Sequence, residues 1–299
     1  MSERRSAECA DQGAQDEGDP VTAATQVDAV LARLVARLDR HERLAIAVSG
    51  GVDSMTLAHV ARRFSTAQVT MYHAVGPAVP AAARARVEAH AAQHDWPLVL
   101  LDAGELADPR YRANPVDRCY YCKSNLYARI RSRTPDPIAS GTNRDDLSDY
   151  RPGLRAAAER DVLHPYVDAG IDKADVYALA ERLGLGDLER LPAQPCLASR
   201  VETGIAIAAA DLAFIDAVEA ALVAQLGREA VVRCRVTHAG VVIEIADARD
   251  GAANGIAQAI GEAACRAEGR IFAGVRPYRR GAAFLRAAAP VGDGEPRSA

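Results

Sequence analysis

The segment that most constrains this chain is 44–54. A short apolar run over 44–48 ends in Ser49-Gly50-Gly51-Val52-Asp53-Ser54, and a helical pattern follows over 54–63. A strand that turns at once into a helix is a unit of parallel α/β folds. At such a turn glycines let backbone N–H groups approach an anion, and the helix N-terminus adds its positive dipole end. Ligands of open α/β sheets bind at this place, beyond the carboxyl ends of the strands. The Ser49 and Ser54 hydroxyls can donate to phosphate oxygens, and Asp53 can hold a magnesium ion bridging them. No Gly-Lys-Ser/Thr follows, so this is not a Walker loop. An ordinary Gly-Gly turn with a Ser cap is the alternative, and the strand-turn-helix context argues against it.

The apolar pattern elsewhere repeats the unit. Val27, Val30, Leu31, Leu34, Val35 and Leu38 recur at helical spacing and predict an amphipathic opening helix. Strands are expected over 68–75, 98–101 (as a buried run) and 137–140, with helices over 81–93 and 124–131. This alternation argues for a parallel sheet covered on both faces. After about residue 200 the order changes. A long helix over 208–226, a strand pair over 230–236 and 241–246, a helix over 252–267 and a strand over 270–275 read as a second, smaller α+β domain. A length of 299 residues fits about two domains of roughly 150 residues. The expected divisions are polar, mobile tails at 1–20 and 287–299, an α/β domain over 21–195 and a C-terminal domain over 196–286. Residues 184–195 form the expected linker.

Lys+Arg 36 against Asp+Glu 40 leaves a formal charge of −4, which disfavours a protein that coats nucleic acid. No run approaches the roughly 18 consecutive apolar residues of a membrane span, and the charged N-terminus lacks the apolar core of a secretory signal. A cytoplasmic protein is expected, and its 6 cysteines are read as thiols or metal ligands.

Cys119 and Cys122 form Cys-Tyr-Tyr-Cys before Lys123, and Cys196 lies in Pro195-Cys196-Leu197-Ala198-Ser199-Arg200. A single C-x-x-C admits two buried thiols, a redox pair or half a zinc site. Cys9 falls in the tail, and Cys234 and Cys265 are expected as packing residues. Three cysteines suit an iron–sulfur cluster with one iron left open, although four-cysteine ligation is commoner. Arg200, four positions after Cys196, would favour its thiolate; inert packing in the linker is the alternative.

SGGVDS resembles the pyrophosphate loop of the N-type ATP pyrophosphatases, a superfamily that includes NAD and GMP synthetases, argininosuccinate synthetase and tRNA thiolases. SGGVDS, R-C-Y-Y-C-K, G-T-N-R-D-D with Tyr150-Arg151-Pro152-Gly153, and P-C-L-A-S-R follow one another in the order seen in LarE-type ATP-dependent sulfur transferases, over roughly 25–286. The resemblance implies a PP-loop ATP pyrophosphatase domain with a Rossmann-like parallel sheet. It implies that Ser49, Gly50, Gly51, Val52, Asp53, Ser54, Gly141 and Thr142 bind ATP, with magnesium at Asp53. It further implies adenylylation of a carboxylate on a pyridinium mononucleotide, after which sulfur replaces AMP to leave a thiocarboxylate. Two sulfur sources occur in the family. One sacrifices the thiol matching Cys196 and leaves dehydroalanine; the other holds a 4Fe-4S cluster on residues matching Cys119, Cys122 and Cys196. The presence of all three favours the cluster form. A homo-oligomer is also implied.

Arg233 and Arg235 alternate on one strand and so share a face. With Arg200 they are expected to bind a substrate phosphate, a solvated strand face being the alternative. Glu244 resembles an acidic position that serves metal or substrate, and Arg279 a closing Tyr-Arg segment. Arg110, Arg112 and Arg118 read as a solvated basic loop. Val201-Glu202-Thr203-Gly204 departs from the family's Pro-Tyr-Gly-like segment, which leaves the acceptor less defined than the ATP and sulfur chemistry. Competing functions are a cluster-dependent tRNA thiolase, weakened by the net charge, and an amidating ligase of the NAD or GMP synthetase type, which leaves the three cysteines unexplained. An ATP-binding carrier or sensor is the non-enzyme alternative.

Overall fold

In the computed structural model the described residues are 20–148, 151–189, 191, 195–246 and 251–279. The expected tails at 1–19 and 287–299, Cys9, Tyr150, most of 190–194 and Arg280-Gly281 lie outside them, whereas Pro20 already opens a helix.

Helix α1 (Pro20–Leu38) leads into β1 (Arg43–Ala47), α2 (Val52–Phe64), β2 (Gln68–Ala74), α3 (Ala81–Gln93) and β3 (Leu98–Leu101). Short α4 (Pro109–Arg112) precedes α5 (Arg118–Arg131) and β4 (Ile138–Ser140). The four strands are parallel in the order β3-β2-β1-β4. Side chains alternate across β1: Leu44 and Ile46 join a core with α1, α2 and α3, while Ala45 joins Tyr127, Ile130 and Ile138 on the other face. Both faces are therefore covered, as the strand-helix alternation requires.

Two expectations need correction. The 98–101 run is an edge strand, with Leu100 39% exposed, because among the described residues no strand lies on its outer side. Helix α5 begins at Arg118 rather than 124, so both cysteines of the C-x-x-C pair lie in its first turns. Local propensity does not announce this start; packing on α6 (Pro152–Ala158) supports it. Gly153 permits the close approach, since a Cβ there would come within 3.0 Å of Lys123 Cγ.

Helices α7 (Pro165–Asp168) and α8 (Lys173–Arg182) follow. Helix α8 starts on a capping box between Asp172 and Asp175. A 3₁₀ turn over Leu197–Arg200 then leads to α9 (Ala209–Leu226), β5 (Val232–Thr237), β6 (Gly240–Ile245), α10 (Gly251–Ala267) and β7 (Phe272–Pro277). Here β5 pairs antiparallel and β7 parallel with β6, giving a small mixed sheet. Leu212, Ile215, Leu222, Cys234, Ile243 and Cys265 fill its core, so Cys234 and Cys265 are packing residues. Among the described residues no helix is long and apolar enough to cross a membrane.

The two strand positions predict different costs. Ile46→Ala, in the central strand, should destabilise by about 2–5 kcal/mol, whereas Leu100→Ala at the half-open edge should cost about 1 kcal/mol or less, as read by urea unfolding.

Candidate functional site

The strand order places a topological switch point between β1 and β4: the chain runs outward through β2 and β3, then returns to the other side of β1. The loop after β1 and the segment after β4 meet there. Gly141 packs on the first turn of α2 so closely that a Cβ would lie 2.7 Å from Ser54 N. Gly50 has φ +84°, and a Cβ there would lie 2.8 Å from Ala83 O, so this position also requires glycine. Gly51 caps α2 without a side-chain hydrogen bond, which leaves the first-turn N–H groups to an outside acceptor. Ser49 Oγ and Ser54 Oγ are 3.1 Å apart and point into the loop together. Beside them Thr142 Oγ1, Ser140 Oγ and His164 Nδ1 form a chain of 3.1 and 2.9 Å contacts.

Asp53 carries partners that local sequence does not reveal. Lys173 Nζ donates to both of its oxygens at 2.8 and 2.7 Å, and Asn143 Nδ2 donates to Oδ1 at 3.0 Å. Tyr166 OH donates to the Asp53 carbonyl. A cation at Asp53 would therefore compete with Lys173. Arg86 Nη1 donates to Gly50 O at 2.8 Å, holding the loop from α3.

The segment over 78–86 joins this loop to the cysteines. Ala83 abuts Gly50, Ala81 N donates to Asp216 of α9, and Leu197 N donates to Ala78 O at 2.9 Å. The Cys196 turn is thereby tied to the element that walls the phosphate loop. Cys119 and Cys122 stand one turn apart on α5. Burial raises both thiols, and a thiolate at Cys196 would raise them further. Cys122 and Cys196 pack on the same apolar cluster as Tyr111. Two buried polar atoms beside them, Tyr111 OH and Glu105 Oε2, have no hydrogen-bond partner. Burial raises the Glu105 carboxyl above its usual range. Soft thiol donors with orphaned polar atoms alongside fit a group bound among them.

Arg118 is not part of a solvated loop. It is 1% exposed, donates to Asn114 Oδ1 at 2.9 Å, and lowers the Cys119 thiol against the effect of burial. Asn114, left-handed at φ 52°, donates to the carbonyls of Val201, Glu202 and Ile205. This network locks the start of the cysteine helix to the segment after Cys196. Arg110 and Arg112 are exposed, as expected.

Arg200 is buried. Its Nε and Nη2 fork onto Glu219 at 2.9 Å each, and Nη1 donates to the carbonyls of Pro195 and Cys196 at 2.5 and 3.1 Å. Arg233 and Arg235 are buried beside it rather than solvated. Arg235 pairs with Glu244 at 2.6 Å and donates to Ser199 O, and Glu244 also pairs with Arg276. Arg233 lies over the Tyr278 ring, and burial, then Arg200, depresses its pKa. Three guanidiniums thus pair with two carboxylates, Arg200 with Glu219 and both Arg235 and Arg276 with Glu244. Arg279 is exposed.

Removing one member of the buried fork should leave the other charge unpaired. Glu219→Gln is expected to destabilise by about 3–5 kcal/mol in denaturant unfolding, and a loss below about 1 kcal/mol would mean Arg200 is held by the carbonyls alone.

No protein-family model matches the chain. It is 38% identical over 170 residues to an uncharacterized protein of Synechocystis sp., covering 54% of this chain and 62% of that one, so the match spans less than two thirds of that relative. An uncharacterized protein of Methanocaldococcus jannaschii is 26% identical over 184 residues, covering 60% of this chain and 69% of its own length. The pyridinium-3,5-bisthiocarboxylic acid mononucleotide synthase of Lactiplantibacillus plantarum is 31% identical over 197 residues, 63% of this chain and 70% of the synthase. With that identity and coverage, the chain belongs to the family of this synthase.

Proposed function

We propose that this chain is an ATP-dependent sulfur transferase that adenylylates a carboxylate of a pyridinium mononucleotide and replaces AMP by sulfur. The observation that carries the reading is the bridge over 78–86, with Gly50 against Ala83 at one end and the Leu197–Ala78 hydrogen bond at the other. Adenylylation and sulfur transfer must act on the same carboxyl group, and the bridge keeps the two machineries adjacent.

In this reading Ser49, Ser54 and the N–H groups at the start of α2 cradle the pyrophosphate end of ATP, with Gly141 and Thr142 lining the nucleotide. Asp53 would hold magnesium, and the Lys173 ammonium, now paired with Asp53, would then be available to neutralise phosphate charge. A substrate carboxylate oxygen attacks the α-phosphorus, and the bond to pyrophosphate breaks. Sulfur then attacks the acyl carbon, and the C–O bond to AMP breaks. Arg233 and Arg235 bind the phosphate of the mononucleotide, and Arg200 contributes to that positive field while it holds the Cys196 carbonyl. Cys119, Cys122 and Cys196 would hold a 4Fe-4S cluster with one open iron, which when bound supplies the sulfide. Glu105, buried near Cys122, is placed to hold a proton there. The assembly is a homo-oligomer in this reading, with the two domains dividing at 195/196.

The test separates the two half-reactions. Asp53→Ala should lower acceptor-dependent pyrophosphate release by at least about 100-fold. Cys196→Ala should leave AMP transfer near wild type and abolish thiocarboxylate formation, followed by mass spectrometry of the acceptor. Thiolation that survives in Cys196→Ala contradicts the role of this residue. Dehydroalanine at position 196 after turnover would replace the cluster by a sacrificed thiol.

A further inference from the structure

Away from the phosphate loop, α2 and α3 bring three imidazoles together. His59 lies on α2 six residues beyond Asp53, or about 9 Å along the helix. His90 lies in the last turn of α3 and His94 at its C-cap. One ring nitrogen from each lies within 4.8 Å of the other two. His59 Nε2 is 2.8 Å from His90 Nδ1, and His90 Nε2 is 2.9 Å from Asp187 Oδ2. The His94 ring meets His59 edge-on with centroids 4.6 Å apart, and Trp96 walls His59 at 4.7 Å.

We propose that His59, His90 and His94 form a binding site for a divalent transition metal of the zinc class, with Asp187 as the outer partner that orients His90. Imidazole nitrogens suit zinc, and three of them leave a fourth position for water. A ligating histidine commonly donates its other N–H to a carboxylate, the relation His90 Nε2 has to Asp187. That bond assigns the lone pair to His90 Nδ1, facing His59 Nε2. In the metal-free protein a proton on His59 Nε2 fills the space between the two rings; the metal takes its place and the proton moves to Nδ1. His94 is only part-buried, which gives an ion a way in. The site would pin together the far ends of α2 and α3. At their near ends these helices carry the phosphate loop and Ala83, so the metal would act on the stiffness of the loop's support and not on the reacting atoms. The site stands whether or not the activity proposed above is correct.

Zinc could also occupy the cysteines, so the test uses the full-length chain with Cys119, Cys122 and Cys196 all replaced by Ser. After chelator treatment this protein should bind about one equivalent of zinc in calorimetry. Cobalt in its place should give visible d–d bands without a thiolate charge-transfer band. Asp187→Asn should weaken zinc binding about 10–100-fold, and His94→Ala by at least as much. Because His94 is part-buried, its Ala variant should keep the metal-free melting temperature. If the triple-Ser protein takes up no zinc, or binds it equally well with His94→Ala, the three rings are a hydrogen-bond chain and the proposal is wrong.

Discussion

The buried fork between Arg200 and Glu219 is the joint on which the candidate site depends. Its remaining guanidinium nitrogen holds the Pro195 and Cys196 carbonyls, while Glu219 also accepts the backbone N–H of Cys234 on β5. One ion pair therefore fixes the cysteine turn, a long helix and the first strand of the C-terminal sheet. Such a pair contributes little net stability over apolar packing, but losing one partner is costly. Its worth here is positional: Cys196 sits on a short turn that this clamp and the Leu197–Ala78 bond hold in place.

Two scales of geometry meet around that turn. The parallel sheet supplies the coarse one, because a return strand beside β1 opens a crevice at the carboxyl ends of β1 and β4. Close backbone approaches supply the fine one. Gly50 touches α3 and Gly141 touches α2, so the phosphate loop is gripped from two sides with no side chain in the way. The Asn114 and Arg118 network performs the matching task for α5, binding the cysteine pair to the segment that follows Cys196.

Much of this is legible in the sequence, and the reasons are local. The strand-glycine-helix unit over 43–64, the alanine-rich α3 and the α9-β5-β6 run each carry a periodic pattern within one segment. The cysteines are visible as residues, but their helical setting is not, because α5 starts where packing on α6 favours it. Arg118 reads as solvated beside Arg110 and Arg112, and only the fold turns it inward. Lys173 lies 120 residues from Asp53, and no spacing rule joins the two. Glu219 and Asn114 belong to the same class of long-range partners. The capping box before α8 marks a helix start without marking a site.

In the proposed function, three separately placed cysteines make one sulfur-handling centre beside the phosphate loop. The most direct measurement is the iron and acid-labile sulfide content of the chain after anaerobic reconstitution, with Cys119→Ala treated in parallel. The account predicts about four of each per wild-type chain and loss of most of both in the variant. Wild-type protein that takes up no iron, or a variant that retains as much as wild type, would contradict it.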